Sequence, residues 1–141
     1  MAVRKAEAVW TGALQDGDGR VRLGSGAFEG RYSFSSRFED GGGTNPEELL
    51  GAAHAACFAM ALAAGLGKAG FHPRRISASA AVHLTKNEGG LAISRIDLTC
   101  EGEVQEIDAV AFAELAEATK KGCIVSRALS AVPIHLEAHL V

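Results

Sequence analysis

A chain of 141 residues with 48% hydrophobic and 22% charged residues has the composition of a globular protein and not of a disordered segment, and a single domain over residues 1–141 is expected. A formal charge of -3, with Lys and Arg scattered along the chain, leaves no basic patch for nucleic acid or an anionic membrane. Three cysteines, Cys57, Cys100 and Cys123, are an odd number, which argues against a disulfide framework, and they have no Cys-x-x-Cys spacing and no grouping with histidines, which argues against a zinc site.

The opening MAVRKAEAVW reaches charged and Gly-rich sequence too early for the apolar core of a signal peptide, so a cytoplasmic protein is expected. Ala6 to Leu14 and Arg20 to Ser25 alternate partly in polarity around Asp16-Gly17-Asp18-Gly19, a hairpin signal. A third strand is expected from Arg31 to Phe38, followed by the loop Glu39-Asp40-Gly41-Gly42-Gly43. Asn45-Pro46-Glu47-Glu48 then supplies an N-cap, a proline at the first helical position and a glutamate, Glu48, placed to close a capping box. The helix should run from Pro46 to near Gly67–Gly70. Its apolar surface is nearly continuous, but it is rich in Ala and broken by Gly51, His54 and Gly65, so it reads as a buried central helix and not as a membrane span.

Ile76 to Thr85 and Leu91 to Val104 read as a hairpin around Lys86–Gly90. Ala109 to Lys121 has helical periodicity, with Val110, Leu115 and Ala118 near one stripe and Gly122 as its stop, and a short helix is expected after Cys123. Ala131 to Val141 alternates as a half-buried strand.

On the long helix, Glu47, Leu50, His54, Cys57 and Ala61 follow spacings of three and four, which aligns a carboxylate, an imidazole and a thiol. Cys57 lies about three turns into apolar sequence, where desolvation raises a thiol pKa, so its reactivity requires a cation from another segment. Arg37 and Arg31 are the candidates, and Glu47 could aim the Arg37 guanidinium. Cys123, at the start of a new helix, has unpaired backbone N–H groups to favour a thiolate. Cys100 alternates inward with Ile96 and Leu98 and reads as a core residue. His54 either fills space or pairs with Cys57 as a base. His135, Glu137 and His139 share one side of the last strand, as solvent-facing residues do; a weak metal site there is the lesser reading.

The segments Arg37-Phe38-Glu39, Thr44-Asn45-Pro46-Glu47-Glu48-Leu49 and Ala52-Ala53-His54-Ala55-Ala56-Cys57-Phe58 resemble the signature of the OsmC/Ohr (osmotically inducible protein, organic hydroperoxide resistance) family. The likeness extends to Trp10 with Gly12 and to Gly122-Cys123 with Val125-Ser126, and it is closer to the OsmC branch. It implies an α+β fold with antiparallel sheets packed around a buried central helix, in an intertwined homodimer with active sites at the subunit interface. It also implies a thiol peroxidase without cofactor or metal. In that reading a hydroperoxide oxidises Cys57, Cys123 resolves it as a disulfide, Arg37 and Glu47 assist, and a small dithiol of the lipoyl kind is the reductant. Ile124 departs from the proline many relatives carry after the second cysteine. Two other classes fit the residues alone: a thiol sensor or binding protein without efficient turnover, and a hydrolase or acyl transferase using His54 and Cys57.

Overall fold

Two three-stranded sheets and four helices form an α+β fold in the computed structural model, which describes residues 2–141. The chain divides into two units, one ending at Leu49 and the other spanning Leu50–Val141.

In the first unit, β1 (Ala6–Thr11), β2 (Asp18–Leu23) and β3 (Glu29–Tyr32) form an antiparallel meander in that order. Gly19 pairs with Tyr32 and with Trp10 on its two neighbours, and a Cβ there would fall 2.5 Å from the Tyr32 ring. The absence of a side chain lets the Trp10 and Tyr32 rings approach to 5.4 Å across the middle strand.

The third strand is shorter than the sequence suggests. It stops at Tyr32, and Phe34–Phe38 form a helical turn, α1, so Arg37 is helical and not part of a strand. The reason is local. Ser33 Oγ accepts the Ser36 N–H at 3.1 Å, while Ser36 Oγ accepts the Ser33 N–H at 2.8 Å, which is a capping box closed by serine instead of glutamate. Ser36 Oγ also donates to the Thr44 carbonyl at 2.7 Å and anchors the end of the Gly-rich loop.

Helix α2 spans Pro46–Lys68 and starts where expected. Asn45 Oδ1 accepts the Glu48 N–H at 2.7 Å, which is half of the capping box; the Glu48 carboxylate instead accepts from Thr44 Oγ1 at 2.9 Å. At the far end Gly70 takes φ +91°, and the Phe71 N–H reaches back to Leu66 O at 2.9 Å, closing the helix with a glycine-dependent left-handed turn.

The second unit is built on the long hairpin of β4 (Pro73–Asn87) and β5 (Gly90–Val104), with β6 (Ile134–Leu140) parallel to β5. A parallel neighbour requires a crossover, and α3 (Ala109–Gly122) with α4 (Ile124–Ala128) provides it. Phe58, Leu62 and Leu66 of α2, Leu98 and Cys100 of β5, and Phe112 and Ala116 of α3 make a continuous core. Each large side chain so buried contributes roughly 1.5–3 kcal/mol. The inward stripe of α3 is Phe112, Ala116 and Thr119; of the expected stripe, Leu115 is half-buried and packs against this core, while Val110 and Ala118 are exposed, so the buried side lies about a third of a turn from the expected one.

Helix α2 also differs from its expectation. It is long and apolar enough to cross a membrane, yet it serves as a core helix, with Gly51, His54, Phe58, Leu62 and Leu66 buried. The opposite side, with Ala52, Ala53, Ala56, Met60 and Ala64, is exposed in the single chain, and Met60 is 76% exposed. One chain supplies only enough sheet and helix to cover one side.

Candidate active site

Cys57 and Cys123 are both free thiols, and their sulfur atoms lie 3.1 Å apart. Cys57 projects from α2 beside the core and is half-buried. Cys123 is the hinge between α3 and α4. Its N–H closes α3 on Thr119 O at 2.8 Å, and its carbonyl accepts the Arg127 N–H at 2.9 Å to open α4, while its own φ, ψ of -55°, 131° are not helical. Ile124, at the proline position of relatives, is exposed, and α4 forms without the ring.

Burial is the largest influence on both thiols, and it disfavours each anion. For Cys57 the hydrogen bond with Cys123 adds to burial, the Val125 and Ile124 N–H groups only partly offset it, and the thiol pKa is raised. For Cys123 the balance reverses: the Cys57 thiol, the Ser126 N–H and hydroxyl, and the Val125 N–H together outweigh burial, and the pKa is lowered. Of the two thiols, Cys123 is therefore the one whose surroundings favour the anion, and Cys57 the one whose surroundings disfavour it. Cys100, with no such donors and with Glu101 nearby, is pushed up to about 11 by burial, and it is a core residue.

His54 does not pair with Cys57. It is fully buried, with Nε2 2.7 Å from Ser126 Oγ and Nδ1 without a partner, and burial lowers its pKa. Ser126 was not singled out for chemistry by the sequence reading. The signal was present in Cys123-x-x-Ser126, the N-cap to third-residue spacing at which a side chain folds back over a helix start.

In the first unit, Arg37 and Glu47 are paired. Arg37 Nη2 and Nε both donate to Glu47 Oε1, at 2.8 and 3.0 Å, and the guanidinium carbon stands 5.2 Å from the Phe38 ring centroid. Glu47 is nearly buried, so the fork is held on one side while the Arg37 side chain keeps 39% exposure. Arg31, the other candidate cation, is spent on Asp18 at 2.7 Å. His135 and His139 are exposed, and among the described residues no three His, Cys, Asp or Glu side chains are gathered as metal ligands.

Residues 39–137 match the family model described as OsmC-like protein. Over 129 residues the chain is 47% identical to Peroxiredoxin OsmC of Escherichia coli (strain K12), covering 91% of this chain and 90% of that protein. The chain belongs to the OsmC-like family.

Solved structures place the OsmC-like fold over nearly its whole length. The organic hydroperoxide resistance protein OhrB of Bacillus subtilis superposes with a TM-score of 0.72 at 23% identity, covering 97% of this chain and 98% of that one. An OsmC like protein from Mycoplasma pneumoniae does so with a TM-score of 0.77 at 16% identity, covering 99% and 98%. In this OsmC-like chain, two sulfurs in contact, one of them biased toward the anion, make a dithiol ready for two-electron oxidation.

Proposed function

We propose that this chain is a thiol-dependent peroxidase that reduces organic hydroperoxides, and hydrogen peroxide, to alcohols or water through a Cys57 sulfenic acid and a Cys57–Cys123 disulfide. The observation that carries the reading is the 3.1 Å contact between these two sulfurs. The Escherichia coli relative's name, Peroxiredoxin OsmC, and the hydroperoxide resistance named for the Bacillus subtilis neighbour support it.

Cys57 is the attacking thiol because a peroxide can reach it, whereas Cys123 is 1% exposed. Cys123 first takes the Cys57 proton across the sulfur contact. The Cys57 thiolate then attacks one oxygen of the peroxide, the O–O bond breaks, and the other oxygen leaves as an alkoxide that takes a proton to become the alcohol. Arg37, aimed by Glu47, supplies the positive charge that favours both the thiolate and the departing alkoxide. Cys123, deprotonated again, attacks the sulfenic sulfur; the S–O bond breaks, hydroxide leaves as water, and the disulfide forms. A small dithiol of the lipoyl kind returns both sulfurs to thiols by two exchange steps. The setting is the cytoplasm, where thiols are kept reduced.

A homodimer completes the reading. The exposed strip of α2 carries Ala52, Ala53, Ala56, Met60 and Ala64 without a charge, and a second copy of the same small-residue strip can cover it by two-fold symmetry.

The deciding experiment is peptide mapping after one equivalent of cumene hydroperoxide, with peroxide consumption followed in the presence of a dithiol. A Cys57–Cys123 disulfide with catalytic consumption supports the peroxidase. The same disulfide without turnover would mark a thiol sensor, and ester cleavage that survives loss of Cys123 would mark a hydrolase.

A further inference from the structure

His54 is the one buried side chain among the described residues with a polar atom, Nδ1, left without a partner. Its other nitrogen is 2.7 Å from the Ser126 hydroxyl, 72 residues away in sequence, and both side chains are buried. Burial keeps the imidazole neutral, so it carries one N–H and one lone pair. Leaving an N–H donor unpaired in a core costs more than leaving a lone pair unpaired, which assigns the proton to Nε2. Nε2–H then donates to Ser126 Oγ. That commits an oxygen lone pair and leaves the Ser126 proton free to turn toward the Cys123 sulfur, three residues back at the N-cap of α4, whose pKa the hydroxyl helps to lower.

We propose that His54 is a positioning residue for Cys123: through Nε2–H it orients the Ser126 hydroxyl so that the hydroxyl proton points at the Cys123 sulfur and holds it as a nucleophile. His54 touches neither peroxide nor the reacting sulfurs. Its effect is transmitted from α2 to the α3–α4 junction by a single hydrogen-bonded hydroxyl. The relay explains why a polar imidazole occupies a core position flanked by alanines, where leucine would contribute more burial.

The titratable groups in the same core, besides Cys123 itself, are Cys57 and His54 from α2 and Cys100 from β5; α3 presents Phe112, Ala116 and Thr119, which do not titrate. The role assigned to Cys123 rests on the peroxidase reading, but its thiolate character can be read without any peroxide. The experiment is the pH profile of the cysteine 13Cβ chemical shifts in reduced protein carrying 13C-labelled cysteine, with Cys57, Cys100 and Cys123 assigned separately, a readout that needs no reagent to enter the core. Ser126→Ala and His54→Leu are expected to displace the Cys123 profile to higher pH, lowering its ionisation constant by at least about threefold, the worth of one hydrogen bond. His54→Gln, whose amide N–H can take the place of Nε2–H, and Ser126→Thr are expected to restore the parent profile. Ser126→Ala removes one oxygen from a folded core and keeps the test available if His54→Leu does not fold. A Cys123 profile unchanged in Ser126→Ala overturns the proposal, as does a His54→Gln profile shifted as far as that of Ser126→Ala. If peroxide turnover is absent while the profiles move as stated, the relay stands and only the peroxidase reading fails.

Discussion

Cys57 Sγ and Cys123 Sγ, separated by 66 residues of chain, are in hydrogen-bond contact at 3.1 Å across the junction of two helices and a third. The contact gives the pair unequal acidity, because Val125, Ser126 and Cys57 together outweigh burial at Cys123, while at Cys57 the Val125 and Ile124 N–H groups only partly offset it. A disulfide between them needs only a rotation and small approach of side chains already facing each other. The Cys123→Ser variant is therefore expected to stop at a Cys57 sulfenic acid after one equivalent of hydroperoxide. Dimedone trapping with mass mapping reads this. A variant that still turns over with a dithiol at the parent rate would remove Cys123 from the mechanism.

The Arg37 fork is held by Glu47 on one side and left partly open on the other. Arg37→Ala is expected to slow the first oxidation of Cys57 by at least about tenfold, on the order of 1.4 kcal/mol of transition-state stabilisation. Glu47→Gln, which keeps an acceptor oxygen but loses the charge that aims the fork, should fall between the two. Stopped-flow single turnovers measure both, and a parent-like rate in Arg37→Ala would show that the guanidinium takes no part.

Met60 stands at 76% exposure in the middle of an apolar helix face. Replacing it with glutamate places a charge on the strip that a second copy should cover, and burying an unpaired carboxylate is costly. Light scattering should find the Met60→Glu chain at the mass of one 14.6 kDa subunit and the parent at twice that. Equal masses for the two would locate the dimer contact elsewhere or show that there is none.

His54 makes folding sensitive to acid. Its folded pKa lies below the ordinary 6.5 because burial removes water from the charged form. Below pH 6.5 the unfolded chain binds a proton that the folded chain refuses, so stability is full above that pH and falls as pH drops toward the folded value. The slope is at most about 1.4 kcal/mol per pH unit. Urea unfolding of the parent and of His54→Gln over this window should give a flatter dependence for the variant. Parallel curves would mean that His54 charges in the folded protein.

Gly102 of β5 lies under the Phe112 ring, and a Cβ there would come within 2.6 Å of Cε2 and Cζ. Phe112 is 1% exposed and has little room to move. Gly102→Ala is expected to cost about 1–3 kcal/mol by overpacking. Denaturant midpoints test this, and an unchanged midpoint would mean that the ring swings aside freely.

The start of α2, the hairpin after it, the final strand and the inward Cys100 were legible in the sequence because each depends on local chemistry. Asn45-Pro46 presents a cap and a fixed φ whatever surrounds it, and alternation at Ile134, Leu136, Ala138 and Leu140 expresses one covered sheet face. The break at Ser33 was equally local, but a serine closing a capping box on another serine is a weaker signal than a glutamate. What the sequence could not decide depends on partners far along the chain. Apolar periodicity shows that α2 has a buried side but not how much of its circumference the chain covers, so the exposed strip at Met60 emerged only with the fold. The electrostatic inequality of the two thiols was readable in direction, because a residue opening a helix faces free N–H groups. Their contact, and the choice of Ser126 over Cys57 as the partner of His54, were decided by the crossover that carries α3 and α4 back over α2, since hydrogen bonds between residues 66 and 72 positions apart exist only once that crossover is in place.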